Sequence, residues 1–261
     1  ARETADYILG EMTGADGGFF SAQDADSDGV EGKYYTFTPA EIIDCLGEER
    51  GRRFCQVFDI TPGGNFEGKN IPNLLKSGRV YADFSEEKEL LRAYRKRRAS
   101  LHLDDKILTA WNAMTIGALS MLYRASRESR YLAAAERAQQ FLEKHLQENG
   151  QLFTSFRDGK RTEQGFLDDY AYEIAALLEL YSSTLEAGYL AKAEALCAEA
   201  VRRFSDGHCG GYFLSGATEL FMDPKETYDG AVPSGNAMIA YDFVRLYQLT
   251  EQEHYRDLAE R

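Results

Sequence analysis

Proline is scarce in this chain, 5 residues in 261, and cysteines number only 4. With 44% hydrophobic and 28% charged residues, that excludes collagen-like, disordered and disulfide-knot classes and leaves a soluble globular protein long enough to bury its own core. Cys45, Cys55, Cys197 and Cys209 form no Cys-x-x-Cys pair and have no histidine at zinc-finger spacing, which excludes structural zinc and dithiol redox chemistry. Four free thiols suit a reducing cytoplasm. Basic residues are in deficit, 30 against 43 acids, and a net charge of -13 repels both nucleic acid and anionic membrane surfaces. Long apolar runs are missing too. The longest uncharged run, Ile107 to Tyr123, has 17 residues and includes Thr109, Asn112, Thr115 and Ser120, so it reads as a buried helix and not a transmembrane span. The chain lacks an initiator Met and an apolar signal core, and both ends are helical in character, so it reads as a fragment.

Repetition is what the sequence has instead. A Leu-Tyr pair stands at Leu122-Tyr123, Leu180-Tyr181 and Leu246-Tyr247, each followed eight residues on by Tyr131, Tyr189 and Tyr255. Eleven residues before each pair's Tyr lie Asn112, Tyr170 and Asn236, giving periods of 58 and 66 residues. Aromatic segments between glycine-rich turns, Gly18-Phe19-Phe20-Ser21, Gln151-Leu152-Phe153 and Gly211-Tyr212-Phe213, read as small hairpins.

Each repeat is therefore a helix, a turn, a second helix and a hairpin-bearing loop. The first helix, as in Ile107 to Tyr123, carries no charge and predicts burial all round; its partner, Arg130 to Glu148, is amphipathic. An inner ring of buried helices wrapped by an outer ring fits this pattern, so the expected fold is all-α, an (α/α) toroid of helical hairpins with short β-hairpins in the loops on one face, over residues 1–261 as a single domain. A solenoid, whose helices each keep a wet face, fits less well. Further helices are expected at Ala1 to Met12, Pro39 to Leu46, Gly51 to Phe58 and Ser85 to Leu101, about ten in all, whereas a six-hairpin ring needs twelve; the ring is incomplete or closed by missing flanks.

In such a ring the loops entering the inner helices share one face, and there the sequence concentrates its acids: Asp104-Asp105, Asp168-Asp169 and Asp229. Paired carboxylates are what glycosidic chemistry requires, one protonated and one ionised. Asp105, Asp169 and Asp229 are the candidate catalytic acids, with His102 beside Asp104 as the one histidine placed to act as a base. Trp111, Tyr170 and Tyr172 offer flat faces for sugar stacking, and Asn112, Asp168, Ser234 and Asn236 polar contacts to a saccharide. The competing reading is that acids before a helix cap it and aromatics at helical spacing are core.

Asp24, Asp26 and Asp28, with Gly29, match the first half of a calcium loop, but Tyr35 replaces the closing Glu, so a looser Ca²⁺ site is the most this segment offers; no other cofactor is expected. Gly63 to Lys69 has phosphate-loop spacing, yet Asn70 stands where Ser or Thr would bind Mg²⁺ and Pro72 follows. Ser234 lacks the glycines of a nucleophile elbow.

Taken together, Gly18 to Ser27, Gly64 to Asn70, Asp104 to Asn112, Phe166 to Ala171 and Pro233 to Ala237 resemble signature segments of the thioredoxin domain-containing proteins related to spermatogenesis-associated protein 20 and the bacterial YyaL type. The resemblance implies a toroid of the six-hairpin glycosidase and N-acylglucosamine 2-epimerase type, preceded in full-length members by a thioredoxin-like domain. It implies no established activity. Epimerases of this fold work through two histidines near the ring axis, which this chain does not supply. The expected function is thus saccharide hydrolysis or isomerisation by carboxylates. The alternative is a non-catalytic glycan- or protein-binding module beside a thioredoxin-like partner.

Overall fold

The computed structural model describes residues 1–78, 82–216 and 224–261. Among them are ten helices, the number expected: α1 (Arg2–Glu11), α2 (Pro39–Leu46), α3 (Glu48–Val57), α4 (Ser85–Arg98), α5 (Thr109–Ser126), α6 (Ser129–His145), α7 (Leu167–Thr184), α8 (Ala187–Phe204), α9 (Gly235–Thr250) and α10 (Glu253–Ala259). The strands are short: β1 (Ala22–Gln23), β2 (Asp26–Ser27), β3 (Val30–Glu31), β4 (Leu103–Asp104), β5 (Ile107–Leu108), β6 (Gln147–Glu148), β7 (Gln151–Leu152), β8 (Ser155–Arg157) and β9 (Lys160–Arg161). Where one domain over 1–261 was expected, the chain gathers into two compact units, Ala1–Ser21 with Asp105–Arg261, and Ala22–Asp104.

In the first unit α7 packs between α5 and α9, while α6, α8 and α10 pack on α5, α7 and α9 in turn. The inner-and-outer alternation expected from the repeat is present. Helix α7 buries 11 of its 18 residues. Ile174, Leu177, Leu178 and Leu180 among them are essentially solvent-free, each worth about 1.5–3 kcal/mol of burial. Helix α5 corrects the expectation of burial all round: Trp111 and Met121 are 50% and 56% exposed. An uncharged surface needs neighbours to cover it, and among the described residues α5 has one inner neighbour, α7.

The Leu-Tyr repeat has a backbone cause. The residues four after each Tyr, Arg127, Leu185 and Glu251, end the inner helices in the left-handed region at φ 62°, 61° and 57°. Their N–H groups donate to the carbonyls of Tyr123, Tyr181 and Tyr247 at 2.7, 2.7 and 2.8 Å, closing the helix and reversing the chain into its outer partner. Each outer-to-inner connection carries a hairpin or bridge, namely Thr13 with Phe19, β6 with β7, and Ser205 with Tyr212; β5, β8 and β9 form a three-stranded antiparallel sheet.

The second unit has its own core of Phe37, Ile42, Leu46, Phe54, Phe58, Ile60, Phe84 and Leu91. A capping box starts α2: Glu41 N–H donates to Thr38 Oγ1 at 3.3 Å and Thr38 N–H to Glu41 Oε2 at 2.8 Å, with Pro39 in the first turn. The segment with phosphate-loop spacing is a structural turn. Gly64 sits at φ 72°, where a Cβ would stand 2.5 Å from the Lys69 carbonyl oxygen, and buried Asn70 bonds Thr61 and Phe37 main-chain groups at 2.9–3.1 Å.

Candidate functional site

Three inner helices begin close together in the first unit, and the Asp168-Asp169 pair at the head of α7 touches all three. Asp169 Oδ2 accepts from the N–H of Phe166, which precedes its own helix, at 3.0 Å, and Oδ1 from Ala110 N–H in the first turn of α5 at 3.1 Å. Only 3% exposed, Asp169 has its carboxyl pushed up to about 7 by burial, an effect the two amides partly oppose. The geometry gives it a capping role in place of the catalytic one expected.

Asp168 differs. It is half-buried, its Oδ1 lies against the backbone of Gly235 at the start of α9, and that oxygen makes no hydrogen bond of ordinary geometry. A Cβ on Gly235 would stand 2.3 Å from it, so a larger residue there would displace the Asp168 carboxyl. Burial, then the nearby Glu226, raise the Asp168 carboxyl above the usual range, and the Gly235 amide offsets part of the rise. Beside it Tyr172, 5% exposed, donates from its hydroxyl to the Pro233 carbonyl at 2.6 Å; burial and the charges of Asp168 and Asp229 push the phenol up to about 12.

Asp229 is exposed and accepts from Ser234 N–H at 2.9 Å and Ser234 Oγ at 3.1 Å; Ser234 in turn caps α9 by accepting from Ala237 N–H at 3.2 Å. Ser234 is therefore a helix cap. Asp105 is half-buried and ion-paired with Arg157 at 2.8 Å.

The equivalent positions Asn112, Tyr170 and Asn236, expected to meet a saccharide, instead hold the hairpins. Asn112, 1% exposed, accepts from Phe19 N–H at 2.7 Å and donates to the Phe19 and Leu108 carbonyls at 2.9 Å. Asn236 does the same for Tyr212, accepting and donating at 2.9 Å, and reaches the Glu226 carbonyl as well. Tyr170, fully buried, accepts from Leu152 N–H at 3.0 Å through its hydroxyl. A buried hairpin strand must satisfy its main chain, and one side chain per repeat does so. Trp111 stays half-exposed at the start of α5.

The second unit holds His102 and the aspartates proposed for calcium. His102 is exposed, and its carbonyl accepts from Asp24 N–H at 2.9 Å. Asp24 Oδ1 accepts from Asp26 N–H at 3.1 Å, and Asp28 pairs with Lys33 at 2.6 Å, so two of the three carboxylates already have partners. Among the described residues no three His, Cys, Asp or Glu side chains are grouped to hold a metal ion.

Below the helix entrances runs a cleft of about 290 Å³, lined among others by Met114, Met121, Tyr172, Tyr241, Glu179 and Arg245. Glu179 on α7 is clamped between Arg124 of α5 and Arg245 of α9. Seven residues of helix separate Tyr172 from Glu179, about 10 Å at 1.5 Å per residue. The clamp was missed from sequence. Its signal was an acid inside an otherwise apolar helix, as it was for Glu173 and Asp242.

No model of a known protein family matches the chain. Among curated proteins it is 32% identical to the uncharacterized protein B0495.5 of Caenorhabditis elegans, aligned over 94% of this chain, and 29% identical to spermatogenesis-associated protein 20 of Rattus norvegicus, aligned over 98%. This chain is a sequence relative of spermatogenesis-associated protein 20. It spans 39% of the length of each of these two relatives. Among solved structures, cellobiose 2-epimerase from Spirochaeta thermophila matches 59% of this chain and 41% of its own, with TM-score 0.50 at 20% identity. A family 105 glycoside hydrolase from C. acetobutylicum matches 99% and 69%, with TM-score 0.51 at 12% identity. At such identities the likeness is one of fold, and the fold is of the (α/α) toroid glycosidase type. Among the described residues no helix is long and apolar enough to cross a membrane.

Proposed function

We propose that this chain is a carbohydrate-active domain that takes a short saccharide along the inner-helix cleft and hydrolyses or isomerises it at the helix entrances, with Asp168 as the acid. The observation that carries this reading is Asp168 itself. At the entrances it combines partial burial, a carboxyl raised above the usual range and a buried oxygen set against the Gly235 backbone, which are properties of a general acid. Asp229 acts on the same Tyr172 phenol from the solvent side and is the second carboxylate of the pair. Trp111 and Tyr228, 50% and 78% exposed, offer stacking faces. The carbohydrate-active enzymes among the fold neighbours support the substrate class.

A second reading keeps the saccharide or a protein ligand and drops the chemistry, making the chain a binding module. The capping bonds of Asp169 and of Asp229 with Ser234 favour it. Resemblance to the thioredoxin domain-containing family supports a thioredoxin-like partner domain in the full-length protein, and four free thiols support a cytoplasmic setting.

Incubating the chain with a panel of oligosaccharides, with chromatographic detection of cleaved and epimerised products, tests both. The enzyme reading expects product with wild type and none with Asp168→Asn at an unchanged melting temperature. Binding without product supports the module; neither product nor binding refutes the carbohydrate reading.

A further inference from the structure

Helix α1 is built like the outer helices of the repeat. Met12 and Leu146, at the ends of α1 and α6, donate to the carbonyls of Ile8 and Leu142 at 3.0 and 2.8 Å. Their own carbonyls accept from Phe20 and Phe153 of the following hairpin at 2.8 and 3.0 Å. Asn112 of the inner helix α5 holds Phe19, after α1, as Asn236 of α9 holds Tyr212, after α8. The outer helices α6, α8 and α10 each follow an inner helix closed by a left-handed residue, Arg127, Leu185 or Glu251. Helix α1 follows none in this chain, and it has 10 residues where α6 and α8 have 17 and 18. The repeat thus holds an outer helix without its inner partner.

The surface beside it is open and apolar. A groove of about 410 Å³ runs between α1 and α5, with Ala5 and Ile8 on one wall and Thr115, Leu119 and Leu122 on the other, and every side chain lining it is uncharged. Gly117 and Met121, on another face of α5, line the cleft against α7 instead. Helix α7, packed between two inner helices, buries 11 of its 18 residues; α5, with an inner neighbour on one side, buries six of 18. An uncharged stripe at helical spacing is what a packed helix presents to its neighbour.

We infer that this groove seats one further inner helix, supplied in the full-length protein by the residues immediately before Ala1 and joined to α1 by the same left-handed turn. The inner helices have 16 to 18 residues, and α1 needs about two more turns to match α6, so the segment is about 30 residues long. It is uncharged where it meets Ile8 and Leu119. The curated relatives extend well beyond the part aligned with this chain and have the length to supply it. The inference does not rest on the saccharide reading.

The test compares the 261-residue chain with the same chain extended by the 30 or so residues its own coding sequence places before Ala1. Thr4→Cys and Thr115→Cys put a thiol on each wall of the groove, and exposed Cys209 is an internal reference. Iodoacetamide labelling, read peptide by peptide, should slow at least about tenfold at both engineered thiols on extension and stay unchanged at Cys209. The extension should also raise the melting temperature by at least about 5 °C. Thr115→Glu should abolish that rise while shifting the unextended chain by no more than about 2 °C, because its side chain faces an open surface there. Equal labelling with and without the extension, or a thermal gain that survives Thr115→Glu, overturns the inference. So does an upstream sequence with no uncharged helix of that length. A dimer of the unextended chain that Thr115→Glu dissociates and the extension leaves intact assigns the groove to a second copy and overturns it as well.

Discussion

Replacing Asp169 by alanine should destabilise the chain strongly at pH 5 and much less at pH 8. The substitution removes the acceptor for two main-chain amides, Phe166 and Ala110, in a region closed to water. Each orphaned donor costs about 1–3 kcal/mol, so the loss at pH 5 is about 2–6 kcal/mol, or roughly 5–20 °C in melting temperature for a chain of this size. The pH dependence follows from the raised carboxyl. Folded Asp169 holds its proton up to about pH 7 against an ordinary 3.8, so between those values the folded state binds more protons than the unfolded one, and stability falls as pH rises. The full shift corresponds to up to about 4 kcal/mol. Alanine has no proton to lose, so the wild-type advantage shrinks by up to that amount as pH rises through 7. Glu173, pushed up to about 8 mainly by burial, gives a slope of the same sign, but it is present in both proteins and cancels in the difference. Urea denaturation of both proteins from pH 4.5 to 8 measures the effect. A difference that does not change with pH, or an alanine variant as stable as wild type at pH 5, refutes the capping assignment and returns Asp169 to the candidate catalytic acids.

Three other perturbations have definite outcomes. Asn112→Leu and Asn236→Leu each strip a hairpin of paired main-chain contacts and should cost about 2–4 kcal/mol, against about 1 kcal/mol for Tyr170→Phe, read from urea midpoints at constant slope. Leu185→Gly should gain about 0.5–1 kcal/mol, because Leu185 is 76% exposed and held at φ 61°, where only glycine is unstrained. Asp242 is solvent-free with neither oxygen hydrogen-bonded, and burial raises its carboxyl well above the usual range. Asp242→Asn should therefore stabilise the chain at pH 8, the gain fading towards pH 4 as Asp242 of the unfolded wild-type chain also takes up its proton; a gain that grows on acidification contradicts the assignment.

The repeat was legible because its cause is local. A left-handed helix end and a hairpin needing one side chain to satisfy its main chain recur at fixed spacing, so they leave matching residues at 112, 170 and 236. What those residues bond is not local: Phe19 is 93 residues from Asn112, and nothing in spacing distinguishes a pin for a distant strand from a hand for a sugar. The acids show the same limit. Asp168 and Asp169 are adjacent and chemically identical, yet one faces two amides and the other a glycine, because they point to different neighbouring helices. Glu173 and Glu179 lie in a helix whose apolar surroundings drew attention away from them. The division into two units was hidden as well, since residues 22–104 contain helical patterns like those on either side.

The central claim is that a saccharide binds where the inner helices begin, and the chain's single tryptophan stands there as a reporter. Trp111 follows Ala110, whose amide Asp169 holds, and is half-exposed. Titrating oligosaccharides while recording its fluorescence is the most direct measurement. A saturable change with at least one saccharide, weakened in Asp168→Asn at unchanged melting temperature, is the predicted result. A signal that no saccharide alters, alongside no shift in melting temperature, contradicts the account.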